Sequence, residues 1–172
     1  MATERPVTVA LVSDTHGHIS PEVLAVVARC DKVVHAGDIC GRHILEALRQ
    51  HNDHVTAVAG NNDVPERWPE AERDTVIALP RIAELELPGG VLSVEHGHEH
   101  GWANPDHAGL RAAHPHAKMI VYGHTHQRMV DKSENPWIVN PGAAGQVRNY
   151  GGPSCLVVHA STEHWELEAF RF

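Results

Sequence analysis

The strongest constraint on the fold of this chain is a repeated pattern: an apolar, β-branched run that stops at a glycine or a small polar residue. Val7 to Val12 stops at Ser13-Asp14, Asp31 to Ala36 at Gly37-Asp38, His54 to Ala59 at Gly60-Asn61, and Lys118 to Tyr122 at Gly123-His124. Such runs read as buried strands, because a strand covered on both faces carries continuous rather than alternating hydrophobicity. Helical signals separate the first three. Ser20 before Pro21 and Glu22 is an N-cap with proline at the first helical position, opening a helix to Cys30; Ile44, Leu45 and Leu48 mark a second. Strand, helix, strand, helix, strand predicts a parallel sheet.

From Val64 to Asp74 the pattern breaks, and the prolines and charges there read as a surface loop or a short helical insertion. Thr75 to Leu79 and Ile82 to Leu87 then read as strands, followed by a Pro88-Gly89-Gly90 turn into Val91 to Val94. A helix is expected around Asp106 to His114. Strands are expected at Arg128 to Val130, Trp137 to Val139, Ser154 to His159 and His164 to Phe170, the last alternating as an edge strand does. The second half is thus expected to be the more antiparallel, within a layered α/β sandwich. No repeat interrupts it, and residues 1–172 read as one domain.

The balance of 14 Lys+Arg against 22 Asp+Glu, a net charge of −8, argues against nucleic acid or an anionic membrane as the default partner. An acidic chain that handles phosphates must import positive charge, and bound cations are the obvious source. Cys30, Cys40 and Cys155 have no C-x-x-C spacing, so neither a disulfide framework nor a thiolate zinc site is implied; they read as buried hydrophobes. Met1 to Pro6 carries no basic flank or signal-peptide core, and no apolar run approaches the roughly 18 residues of a membrane span. The cytoplasm is the expected location.

Sixteen histidines make any single ligand motif cheap: with 8 Asp and 16 His in 172 residues, a D-x-H arises by chance about 0.7 times. Each cluster also has an ordinary explanation as a cap, an Asx-turn or a strand-end histidine bonded to backbone. Five clusters at the same end of successive strands do not. Asp14 with His16, Asp38, Asn61, His96, and His124 with His126 would all arrive at one sheet edge, where α/β proteins build their sites. Three carboxylates or amides and four histidines can hold two divalent ions, and Asp38, alone after Gly37, is best placed to be shared.

In order, Asp14-x-His16, Gly37-Asp38, Gly60-Asn61-x-Asp63, His96-Gly97 and Gly123-His124-x-His126 resemble the motifs of the calcineurin-like metallophosphoesterases, most of all the compact YfcE-type phosphodiesterase branch. The resemblance runs from Val7 to about Gly145. It implies a four-layer αββα sandwich with mixed sheets and two divalent metals, Mn2+ first, with Ni2+, Co2+, Fe2+ or Zn2+ as alternatives. Position by position it assigns Asp14, His16, Asp38 and His126 to one ion, and Asp38, Asn61, His96 and His124 to the other. It also implies that Asn140-Pro141-Gly142 is a loop-shaping turn near the site.

The expected activity is hydrolysis of a small phosphodiester by direct attack of a metal-bridging hydroxide, with Asp38, Asn61 and His98 in the catalytic set. Monoester or nucleotide-pyrophosphate hydrolysis are the alternatives within the fold, and a protein-binding scaffold, as in a retromer subunit of the same fold, is the alternative outside enzymology. Histidine-rich metal storage would instead need tandem tracts. The chain departs at Asn62 from many larger relatives, which place there a histidine that supports transition-state charge or protonates the leaving group. Asn62 cannot do so, which turns attention to His98 and His18. Asp63 then reads as a structural partner of its loop. His100, His107, His114, His116, His159 and His164 read as surface residues. Trp68, Trp102 and Trp137 are candidates for covering a homo-oligomer contact or for the core.

Overall fold

A computed structural model describes residues 4–172. Met1–Thr3, the start of the segment read as free of a targeting signal, lie outside the described residues. In chain order the elements are β1 (Val7–Val12), α1 (Pro21–Ala28), β2 (Lys32–His35), α2 (Arg42–His51), β3 (Val55–Ala57), α3 (Arg73–Ile77), β4 (Ile82–Leu87), β5 (Gly90–Glu95), α4 (His107–Ala113), β6 (Met119–Val121), β7 (Met129–Asp131), β8 (Trp137–Asn140), β9 (Ser154–Ala160) and β10 (Trp165–Arg171). They build two five-stranded sheets, ordered β10-β9-β1-β2-β3 and β4-β5-β6-β8-β7.

Three apolar layers hold these together. Side chains alternate across a strand, so Val9 and Leu11 of β1 face the second sheet while Ala10 and Val12 face α1 and α2. The central layer sets Val9, Leu11, Val34, Leu156 and Val158 against Leu92, Val94, Met119, Val121 and Val139. On the outside of the first sheet, Val23, Val27, Ile44, Leu45 and Leu48 cover Ala10, Val12, Val33 and Val157. On the outside of the second, Leu110 of α4 packs with Ile120, Tyr122 and Ile138. The result is the four-layer αββα sandwich. The α1 cap forms as expected, with the Ser20 hydroxyl accepting from the Glu22 N–H.

One expectation is corrected. Thr75 to Leu79, read as a strand from its β-branched residues, forms the one-and-a-half-turn α3 instead. Only Val76 is buried there while Ile77 lies 67% exposed, and Arg42 ties the segment to α2 through Thr75 Oγ1 at 3.0 Å; tertiary anchoring overrides weak β propensity. The second half is the more antiparallel, as expected: β1-β2-β3 pair with one another only in parallel, whereas the later strands join a parallel β5-β6-β8 set to antiparallel pairings made by β4, β7, β9 and β10. The β9-β10 hairpin crosses back to join the first sheet beside β1, and β10 is an edge strand as its alternation predicts. No helix among the described residues is long and apolar enough to cross a membrane.

Candidate metal centre

The parallel strands β1, β2, β3, β5 and β6 all deliver their C-terminal ends to one rim, and their last residues lead directly into the five sequence clusters. Turning the chain there is strained. Asp14, His16, Asp38, His124 and His126 all adopt positive φ, between 44° and 68°. L-residues pay for such conformations, which persist mainly where surrounding structure and function require them. The preceding glycines allow close approach: a Cβ on Gly60 would lie 2.2 Å from Asp38 Oδ1, and one on Gly123 would lie 2.0 Å from Ser13 Oγ and 2.6 Å from Asp14 Oδ2.

The donor atoms converge. His16 Nε2 lies 3.2 Å from His126 Nε2 and 3.4 Å from Asp38 Oδ2. Asp14 Oδ1 lies 3.4 Å from His126 Nε2 and 3.9 Å from His96 Nε2, and His96 Nε2 is 3.5 Å from Asp38 Oδ2. Asn61 Oδ1 and His124 Nδ1 are 3.1 Å apart. Two compact groups result, Asp14 with His16 and His126, and Asp14 with Asp38 and His96. Asp14 is common to both groups, whereas Asp38 touches one histidine from each side.

Backbone carbonyls decide which nitrogen of each ring faces inward. A carbonyl only accepts, so His96 Nδ1–H donates to Ala36 (2.8 Å), His126 Nδ1–H to Val147 (2.7 Å) and His124 Nε2–H to Trp102 (2.6 Å). In the neutral rings the opposite nitrogen is then a lone pair aimed into the centre. Asp14 Oδ1 and His96 Nε2 are buried there without a hydrogen-bond partner. Lone pairs facing lone pairs at about 3 Å are repulsive unless a cation lies among them, so this donor set of oxygen and imidazole nitrogen fits divalent metal.

The electrostatics show what the centre lacks without a cation. Burial pushes the Asp14 carboxyl up to about 7. Burial would raise Asp38 too, but His96 and both Asn62 donors outweigh it and hold Asp38 well below the usual carboxylate range. Burial lowers His96, yet the two carboxylates overrule it and lift the ring to about 9, so without a metal its Nε2 takes a proton in the place a cation would fill. His16, His124 and His126 are all lowered by burial first, His126 to about 4, which keeps them neutral and able to coordinate.

Around the donors sits a shell that the motif reading resolves only in part. Asn62, the departing position, spends both donors on Asp38: its N–H reaches Oδ1 at 2.9 Å and its amide nitrogen reaches Oδ2 at 2.7 Å, while Arg67 donates to its carbonyl oxygen. Asp63 is buried and accepts from the backbone N–H groups of Ile39, Cys40 and Gly60 and from the Trp68 indole, so it pins the β2 and β3 loops together. Asn140 donates to Gly123 O and Thr125 Oγ1 and holds the His124-to-His126 loop. Thr15 and His35 form a buried hydroxyl–imidazole pair at 2.9 Å, but not an activated nucleophile. His35 Nδ1 accepts from the Gly37 N–H, so its Nε2–H donates to Thr15 Oγ1, which donates on to Ile39 O.

A cleft of 430 Å³ opens over Asp38, Asn61, Asn62 and His124. His98 does not border it. Its ring stands 5.5 Å from His96 and 6.1 Å from His124 and faces a separate 180 Å³ cavity. His18 is exposed and lines neither. Burial corrects one further reading and decides another: His114, read as a surface residue, is 2% exposed and bonds Glu95 at 2.5 Å, and of the two alternatives for Trp68 the core is the one observed. Sequence reasoning missed Arg67, Arg148 and Tyr150 as cleft residues, since they lie on irregular loops with no periodicity or ligand chemistry to mark them.

A phosphodiesterase of Methanocaldococcus jannaschii is 23% identical over 145 residues, covering 78% of this chain and 82% of that protein. The structure of an archaeal phosphodiesterase superposes with a TM-score of 0.71 at 17% identity, over 95% of this chain and 100% of that one. Wild-type Vps29 of Entamoeba histolytica complexed with zinc superposes with a TM-score of 0.73 at 17% identity, over 96% and 98%. Residues 7–163 match the calcineurin-like phosphoesterase superfamily domain, and the chain therefore belongs to that family of metallophosphoesterases.

Proposed function

We propose that this chain is a cytoplasmic phosphodiesterase that uses two divalent cations, Mn2+ foremost, to hydrolyse a small phosphodiester. The observation that carries the reading is the inward set of lone pairs on Asp14, His16, Asp38, Asn61, His96, His124 and His126, fixed by backbone carbonyls behind three of the rings. Asp14, His16 and His126 would hold one cation, Asn61, His96 and His124 the other, with Asp38 shared. Bound cations supply Lewis acidity, neutralising phosphate oxygens and lowering the pKa of water.

The rest of the chemistry belongs to the chain. Asn62 fixes both oxygens of Asp38 and cannot itself give up a proton. Arg148 has no hydrogen-bond or ion-pair partner among the described residues, lines the cleft, and lies close enough to His16, His124 and His126 to lower their pKa values; it can hold a non-bridging phosphate oxygen. The proton for the leaving group is assigned to His98, whose Nδ1 is buried and unpartnered; from its neighbouring cavity it would act through water.

The test is a metal-stripped preparation assayed on mono- and bis-aryl phosphates with Mn2+, Ni2+, Co2+, Fe2+, Zn2+ or Mg2+ restored singly. Metal-dependent turnover with the diester preferred is expected. Preference for the monoester would move the reading to a phosphomonoesterase, and no turnover with any metal would leave the alternative of a non-catalytic protein-binding scaffold.

A further inference from the structure

The cleft over the centre carries groups that hydrolysis alone does not require. Trp102 and Tyr150 are 67% and 52% exposed and both line it. Apolar surface rimmed by polar groups in a cleft is what a ligand-binding groove presents. Trp102 is also anchored. Its ring meets His124 edge-on at 4.9 Å between centroids, and its carbonyl accepts from the same histidine, so the indole is a platform already in place before any ligand arrives.

The other walls specify what would lie on that platform. Arg67 and Arg148 bring positive charge to the cleft of a chain whose net charge is −8. Asn104 and Gln127 add side-chain amides, each offering a donor and an acceptor. Aromatic faces, cations and amides suit, in turn, the π-face, the phosphate and the polar edge of a nucleotide. The acidic surface disfavours a long polynucleotide, which needs an extended basic track.

We propose that the cleft is a nucleotidyl site, and that the substrate is a small phosphodiester with a nucleoside as one ester arm, its base held against Trp102 and Tyr150. This rests on the phosphodiesterase reading and narrows it. Hydrolysis would break the bond from phosphorus to the other arm, add water oxygen in its place and release a nucleoside monophosphate together with the protonated leaving group.

Three esters sharing a p-nitrophenolate leaving group test this on the Mn2+-loaded protein: methyl p-nitrophenyl phosphate, phenyl p-nitrophenyl phosphate and thymidine 5′-(p-nitrophenyl phosphate). The nucleotidyl ester should exceed the methyl ester by about tenfold or more in kcat/KM, with the phenyl ester between, because stacking on a protein aromatic is worth about that factor per base. Trp102→Ala and Tyr150→Ala should each cut the nucleotidyl-to-methyl ratio about tenfold, mostly through KM, and Trp102→Phe should restore it. Calorimetric titration should show thymidine 5′-monophosphate binding more tightly than inorganic phosphate, with that advantage lost in the alanine variants. Thermal melting establishes that each variant is folded. Equal rates on the methyl and nucleotidyl esters overturn the proposal, as does a ratio that neither alanine variant changes. A phenyl ester as good as the nucleotidyl one replaces the nucleoside by any aryl arm and overturns it too. If none of the three esters is hydrolysed, the phosphodiesterase reading itself fails and takes this one with it.

Discussion

At the scale of residues, the site is decided by which atom of each side chain faces inward. His96 and His126 present Nε2 because Ala36 and Val147 hold their Nδ1–H groups, while His124 is turned the other way by Trp102. Position 62 shows the same economy of orientation. Where many larger relatives place a histidine, this chain has an asparagine whose backbone N–H and side-chain amide both donate to Asp38, so the leaving group must find its proton elsewhere. His98 is the residue to examine. His98→Gln should reduce kcat on a diester with a poor leaving group, such as an alkoxide, by about a hundredfold, the usual scale of general acid catalysis, and leave a p-nitrophenyl diester within a few-fold of wild type. Equal losses on both would make His98 a support for the neighbouring rings. No loss on the poor leaving group would remove it from the mechanism. Burial lowers its pKa below the ordinary imidazole value, so the protonated form is the minor one at neutral pH and proton delivery should strengthen as pH falls.

At the scale of elements, the register of β1 against β2 places Asp14 beside Asp38, and an exposed clamp guards the start of that pairing. Asp31, just before β2, accepts from both guanidinium nitrogens of Arg5 and from the N–H and hydroxyl of Thr8 in β1. The Arg5 hydrogen bond, first among these, holds the Asp31 carboxyl well below the usual range. A carboxyl lowered in the folded state stabilises above its unfolded pKa of about 3.9 and loses that contribution as pH falls toward and below it. Wild type should therefore be more stable than Asp31→Asn at pH 7, with the gap narrowing from about pH 5 downward. Urea unfolding of both proteins between pH 7 and pH 3 measures it; a gap independent of pH would mean that the clamp acts through shape alone. Much of this scale was legible beforehand. β1, β2, α1 and β10 follow from hydrophobic pattern and capping, whereas α3 was not, because Thr75, Val76 and Ile77 carry strand propensity and only their contact with α2 makes them helical.

At the scale of the whole molecule, two sheets converge on one rim, and the strain stored there predicts that a bound metal would stabilise the fold. Five residues of positive φ, a buried carboxylate oxygen and a buried imidazole nitrogen without partners all weigh against the folded chain when it is metal-free. A chelator should accordingly lower the melting temperature, and Mn2+ at about a hundred times its Kd should recover about 2.7 kcal/mol, or roughly 5–10 °C for a chain of this size. Differential scanning calorimetry with and without chelator gives the number, and a melting temperature that no divalent cation moves would contradict the assignment of the ligand set.

The sequence by itself determined the ligand types, their order and their attachment to strand ends, since apolar runs and the residues that stop them are local features of the chain. It also marked Asn62 as the departure. Only the tertiary structure decided which ring nitrogens face inward, that Asn62 grips Asp38, that His98 stands outside the cleft, and that Arg67, Trp102, Arg148 and Tyr150 share it. Those relations join residues far apart in the chain, through carbonyls and loops that carry no periodic signal, so no local pattern encodes them.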